Sequence, residues 1–242
     1  MKSWWRSRRV QVVAGLGLVL GLVATFPLSV AASMLGLKDM GVTARSLRGP
    51  VWWGGAEELT VAGVPLGTVD VFLDPLHLLI GQARIDFIRL TDNPDINVSG
   101  GITIGMGTRG VQGVSGKLSL ANALAPLPVS RAEFEKFTAH FSGSLCSKAE
   151  GRVRVHVPAL ITGLDLANGL VGDARCEGDA LLLPLASQSG QERLEMRFHS
   201  DGRYEAVMRI KTVDPVLANA LGANGFQPGE GGERVLEVTG QL

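Results

Sequence analysis

The stretch RLEMRFHSDGRYEAVMRIK, residues 193–211, decides the fold class. Leu194, Met196 and Phe198 alternate with Arg193, Glu195 and Arg197. After Asp201-Gly202 the alternation resumes with Tyr204, Ala206, Met208 and Ile210. A period of two is that of a β-strand, whose successive side chains point to opposite faces. Asp-Gly between two such runs closes a tight hairpin. The expectation is two antiparallel strands, each with one apolar and one polar face.

Working outward, GRVRVHV (151–157) repeats the pattern, with Val153, Val155 and Val157 set against Arg152, Arg154 and His156. ARIDFIRL (83–90) and DINVSGGITIG (95–105) are shorter versions. One apolar face per strand implies an antiparallel sheet covering a single core. The 32 glycines among 242 residues add to this, because turns and bulges need them and helical bundles do not. Helical signals are few. DPLHLLIG (74–81) begins with Asp74-Pro75 and stops at Gly81, and DPVLANALG (214–222) begins with Asp214-Pro215 and stops at Gly222. Asp as N-cap and Pro in the first turn start a helix, and about two turns cannot stand alone, so both should plug an end or edge of the sheet. The expected fold is mainly β: a curved antiparallel sheet with two or three short helices.

An echo runs through it. LANAL occurs at 120–124 and 217–221. At unchanged spacing Gly143-Ser144-Leu145 corresponds to Gly240-Gln241-Leu242, and Gly81-Gln82-Ala83 to Gly178-Asp179-Ala180. A chain of this length holds one large β domain or two small ones. The echo suggests two similar β units, about 59–145 and 153–242, in one continuous sheet.

The N-terminus is of another character. Lys2, Arg6, Arg8 and Arg9 precede an uncharged run from Val10 to Leu37. Val10 to Val30 is long enough to cross the ~30 Å hydrocarbon layer of a bilayer as a helix. The expected layout is a cytoplasmic N-terminus (1–9), a transmembrane anchor (10–32) and a β-rich region on the far side (33–242). Trp4 and Trp5 suit the headgroup zone. The competing expectation is a signal peptide cleaved after Val30-Ala31-Ala32, with Pro27 just before. Export of the remainder is common to both.

Export gives the two cysteines a meaning. Cys146 and Cys176 both lie beyond the apolar run, and an even pair in an oxidising compartment is naturally one disulfide, worth roughly 3–4 kcal/mol by loop closure. Two buried free thiols are the alternative.

Catalytic patterns are missing. GMGTRG (105–110) matches GxGxxG, but VQGVSGKLSL follows it and no helix, so it is expected to be a Gly-rich hairpin or bulge. There is no GxSxG elbow, Walker lysine loop or HExxH helix, and the four histidines are scattered. Lys+Arg and Asp+Glu are equal at 23 each, so no net field attracts nucleic acid. No enzyme activity, cofactor or metal is expected.

There remains SLRGPVWWGG (46–55), which places Trp52 and Trp53 between Gly49 and Gly54. On a strand the two rings would point to opposite faces, one into the core and one toward membrane or partner. Alternatively both simply cover the sheet's edge. SLRGPVWWGGAEELTVAG followed by VDVFLDPLHLLIGQARIDFIRL resembles the protein N family of the bacterial type II, or general, secretion system. Gly49, Trp52 and Gly54 match its Gly-x-x-Trp-x-Gly turn, while Pro75, Leu76, Leu78, Leu79 and Gly81 match its Pro-Leu-x-Leu-Leu-x-Gly element. GSLCSKAEG and GDARCEGDALLLPL resemble the segments that carry the family's two cysteines. Phe72 stands where the family pattern has Trp. The resemblance implies a non-catalytic inner-membrane component with a periplasmic β domain, partnered by other components of a machine that moves folded proteins across the outer membrane. AsmA-like envelope proteins share similar turn and helix patterns, and likeness to them would imply lipid held in an apolar β groove.

Overall fold

The computed structural model describes residues 2–34, 41–61, 63–78, 81–89, 97–120, 124, 127, 129–158, 166 and 168–241. Two helices, α1 (Lys2–Ala24) and α2 (Leu28–Met34), come first. Then follow β1 (Val42–Thr43), β2 (Ser46–Arg48), β3 (Gly54–Val61), β4 (Val64–Asp74), a single helical turn α3 (Pro75–Leu78), β5 (Gln82–Arg89), β6 (Val98–Gly105), β7 (Thr108–Ser119), β8 (Arg131–Ser142) and β9 (Leu145–His156). The chain continues with β10 (Leu170–Asp173), β11 (Arg175–Glu177), β12 (Ala180–Ala186), β13 (Glu192–Phe198), β14 (Arg203–Lys211), α4 (Pro215–Ala223), β15 (Gln227–Pro228) and β16 (Glu233–Gln241).

Among the described residues all the strands belong to one open antiparallel sheet in which chain neighbours are nearly always spatial neighbours. The deciding hairpin is β13–β14, with Phe198 opposite Tyr204, Met196 opposite Ala206 and Leu194 opposite Met208. Leu194, Met196, Tyr204, Ala206, Met208 and Ile210 are all buried, as their period predicts. Register carries the same face across the sheet. Leu185 lies opposite Leu194, Val155 opposite Leu170, Ala132 opposite Val155, and Val71 opposite Phe87. One apolar cluster therefore runs from Ala56 to Val238. GMGTRG is a hairpin, with Met106-Gly107 turning β6 into β7.

α4 starts where Asp214 and Pro215 predict. The Asp214 side chain accepts from the Val216 N–H, and Leu217 and Leu221 are buried in the core. It ends at Ala223, one residue past expectation. DPLHLLIG falls short of two turns: α3 covers four residues, Leu76 and Leu78 stay exposed, and Leu79 lies outside the described residues. The N-terminal start is as read, with the Leu76 N–H and His77 both bonded to Asp74. Those bonds, the Leu76 N–H first, hold the Asp74 carboxyl below its usual range. The first LANAL copy lies mostly outside the described residues.

Cys146 and Cys176 are bonded, with Cα atoms 5.5 Å apart. The bond sits at a seam. β10 pairs with β9 from Leu170↔Val155 to Asp173↔Arg152, and the Ala174 N–H still reaches the Gly151 carbonyl. β10 also meets β12, at Val171↔Ala186, and from Arg175 the same chain leaves β9 and continues along β12 as β11. The first residues of β9 thus keep only β8 as a ladder partner, and on the other side the disulfide ties them to β11.

α1 spans 23 residues, and its side chains Val12, Val13, Leu16, Leu18, Val19, Leu22 and Val23 are exposed. Among the described residues no helix is long and apolar enough to cross a membrane.

Candidate functional site

The site grows from the link between β2 and β3. Gly49 has a φ of 82°, and a Cβ there would stand 2.9 Å from the Trp53 carbonyl oxygen. A Cβ on Gly54 would meet the Arg48 carbonyl oxygen at 2.7 Å and Leu28 Cδ2 at 2.8 Å. Only glycine lets the chain reverse this tightly at both ends of Pro50-Val51-Trp52-Trp53.

The turn is bonded to the helical N-terminus. Pro50 bridges Pro27, the Leu28 N–H donates to the Gly49 carbonyl at 3.1 Å, and the Val51 N–H donates to the Phe26 carbonyl at 2.8 Å. The carbonyls of a helix's last turn have no partner within the helix. Trp52 Nε1–H donates to one of them, the Val23 oxygen, at 2.8 Å. Its ring is half-buried between the turn and the helix end.

Among the described residues Trp53 has no such partner, and it is 62% exposed. The tryptophans are thus not on a strand, and neither ring enters the core, because Pro50 and the flanking glycines take these residues out of the strand alternation. The pair is divided all the same: one ring fastens the helix and the other faces outward.

Beside Trp53 lies a cleft of about 440 Å³ lined by Arg48, Trp53, Glu57, Thr68, Asp70 and Phe72 over the bare backbone of Gly49, Gly54 and Gly55. β4 supplies three of these groups by its period: Val69 and Val71 are buried, so Thr68, Asp70 and Phe72 point to the other face. Register places Arg48, Gly55 and Asp70 in one cross-strand row. Gly55, without a side chain, leaves the floor open between an arginine and a carboxylate. Glu57 is held in place by an ion pair with Arg48 and a hydrogen bond from Ser46. Phe72 is 42% exposed, and Ile88, opposite Asp70 on β5, is 36% exposed. Three large apolar side chains thus stand together on the polar face of the sheet.

The residues singled out by sequence fall into three places. Gly49, Trp53, Gly54 and Phe72 meet at the cleft, with Trp52 behind it. Pro75 and Gly81 lie beyond the end of β4, where the Gly81 N–H closes the turn on the Leu78 carbonyl. Cys146 and Cys176 are at the seam. Sequence reasoning missed Arg48, Glu57, Thr68 and Asp70. The alternation in VDVFLD shows which residues of β4 face outward, but only strand register brings β2 and β3 alongside them. Among the described residues no three His, Cys, Asp or Glu side chains are grouped to hold a metal ion.

A disulfide-tied antiparallel sheet, an N-terminal helix bonded to the turn between its first strands and a cleft edged by two aromatic rings define a protein of β architecture. A family model described as type II secretion system (T2SS), protein N, matches residues 40–237, and the chain belongs to that family. It is 28% identical over 203 residues to the type II secretion system protein N of Vibrio cholerae, covering 78% of this chain and 79% of that one. No solved structure matches it.

Proposed function

We propose that this protein is a non-catalytic, partner-binding subunit of the type II secretion system. It is held at the bacterial inner membrane by α1, with residues 1–9 cytoplasmic and the sheet in the periplasm, and docks another component of the system at the Trp53–Phe72 cleft. The observation that carries this is the exposure of Trp53, Phe72 and Ile88 together on an otherwise polar face. Such aromatic patches are where binding energy concentrates at protein interfaces. The anchor reading rests on the uncharged sequence from Val10 and on the bare apolar side chains of α1. Trp52 then has a mechanical role, because it fixes the angle at which the helix enters the sheet and so the height of the cleft above the membrane.

The repeat fits the same picture. The offset that takes Leu120 onto Leu217 takes β5 onto 179–186, against β12 at Ala180–Ala186, and makes β6, β7 and β8 overlap β13, β14 and β16. Lipid carriage would need room along the inner face, and Leu183, Leu185, Leu194, Met196 and Met208 fill it over β12 to β14.

The test is a photo-crosslinking residue at Trp53, and separately at Phe72, in cells of the native organism. A reproducible adduct with an inner-membrane or periplasmic secretion component is expected. Adducts with phospholipid alone would overturn the reading. The anchor is tested by the mass of the mature chain: loss of about the first 32 residues would mean a cleaved signal.

A further inference from the structure

The two ends of the sheet are finished differently. At the first end the outer side of β3 is covered along its length by β1 and β2, with partners from Val42↔Val61 to Arg48↔Gly55. At the last end, among the described residues, β15 covers only Arg234 and Val235 of β16. The Glu233 carbonyl accepts from the Gly229 N–H at 2.8 Å, so Glu233 turns its backbone groups away from β14. β14 and β16 pair without a shift from Lys211↔Glu233 to Arg203↔Gln241. Every second residue must therefore do the same, and Glu237, Thr239 and Gln241 present N–H and C=O to the outside. Among the described residues no backbone hydrogen bond reaches these groups from that side. All three residues are exposed.

Such an edge is a template for another strand, and proteins normally blunt it with Pro, Lys or a bulge. Residues 236–241 contain none of these, and Glu237 is their one charge. Leu236 and Val238 extend the core face to the margin. We propose that the outer edge of β16 is a strand-addition site for an extended segment of a partner protein in which apolar residues alternate with Lys or Arg. Apolar positions of the incoming strand continue the face of Leu236 and Val238, and a cation stands opposite Glu237. A second copy fits less well. Antiparallel pairing of two β16 edges sets Glu237 against Glu237, Thr239 or Gln241, none of them a cation.

The experiment uses the full chain in detergent micelles with two probes, the peptides Val-Lys-Val-Lys-Val-Lys and Val-Glu-Val-Glu-Val-Glu, and reads residue-resolved amide exchange. The basic peptide should slow exchange at Glu237, Thr239 and Gln241 by about tenfold or more, and the acidic one should not. Thr239→Pro removes an N–H that bonds nothing within the sheet, so Tm should hold while the protection disappears. Glu237→Lys keeps every backbone group and should exchange the preference between the two peptides. Absence of protection at these amides, or equal protection by both peptides, overturns the proposal. Protection that appears without peptide on raising the protein concentration also overturns it, in favour of self-association through β16.

Discussion

From β3 to β9 the ladders slip repeatedly, at Ala56/Leu59, Ser99/Gly101, Val111/Val114, Val114/Gly116, Glu135/Thr138 and His140/Phe141. From β12 to β16 the β12–β13, β13–β14 and β14–β16 ladders keep register throughout. Burial follows the same division. Leu182, Leu185, Leu194, Met208, Ile210 and Leu221 are fully buried, with Leu170 of β10 beside them, whereas Val69 and Val153 are the large side chains so enclosed in the earlier strands. Ile85, Ile102, Val111 and Leu118 are only partly covered. A bulge adds a residue, twists the strand and loosens cross-strand packing. The later strands, with α4 over them, therefore act as the stable base, and the earlier ones carry the helix junction and the cleft.

The sharpest test of this division is to cut the same kind of side chain from each part. Met208→Ala should cost about 2–5 kcal/mol, because the surrounding packing cannot collapse into the hole. Ile102→Ala, at a half-covered position, should cost about half as much or less by urea denaturation. Equal losses would break the comparison. Removal of the disulfide by paired Cys146→Ser and Cys176→Ser substitution comes next, at about 3.5 kcal/mol for a sequence separation of 30 residues. Since the bond ties β9 to β11 at the seam, the variant should also melt in two steps, the earlier strands first. One cooperative transition would show that the two parts do not act separately.

Smaller effects sharpen the picture at single residues. Trp52→Phe keeps an aromatic ring, though a smaller one, and loses the bond to the Val23 carbonyl, for about 1 kcal/mol or somewhat more in denaturation and faster amide exchange at Phe26 and Leu28. Trp53→Phe should stay within about 0.5 kcal/mol of the parent, since the ring is mostly in solvent. Smallest is a gain. Glu58 and Lys136 both have a φ of 50° and sit within the slips at Ala56/Leu59 and Glu135/Thr138. Lys136→Gly relieves that left-handed conformation and should stabilise by about 0.5 kcal/mol, net of glycine's greater freedom when unfolded.

Legibility followed the same division. The β13–β14 hairpin, the Asp214-Pro215 start of α4 and the GMGTRG turn could be read because local pattern and tertiary packing agree there. The bulges at Glu58 and Lys136 could not, since neither residue is the Gly or Asn that marks a positive φ. DPLHLLIG carries a good helix start yet only one turn forms among the described residues, because Leu76 and Leu78 find no core to join. The Trp pair was recognisable as a turn by its glycines, but the roles of its two rings were not. Trp52 acts on a carbonyl 29 residues away in sequence.

What the sequence determined by itself is whatever a period or a neighbour can encode: the β class, one apolar face per strand, two cysteines that form one pair, and a tight turn at Gly49 to Gly54. What only the tertiary structure decided is whatever depends on register. Register set β2, β3 and β4 side by side so that Arg48, Gly55 and Asp70 form the floor of a cleft beneath Trp53 and Phe72, parted β11 from β9 while it stayed on β12, and left Glu237, Thr239 and Gln241 at an open edge among the described residues. A strand's alternation says which residues share a face, but not which strand lies beside it. That choice is made by packing over the whole sheet.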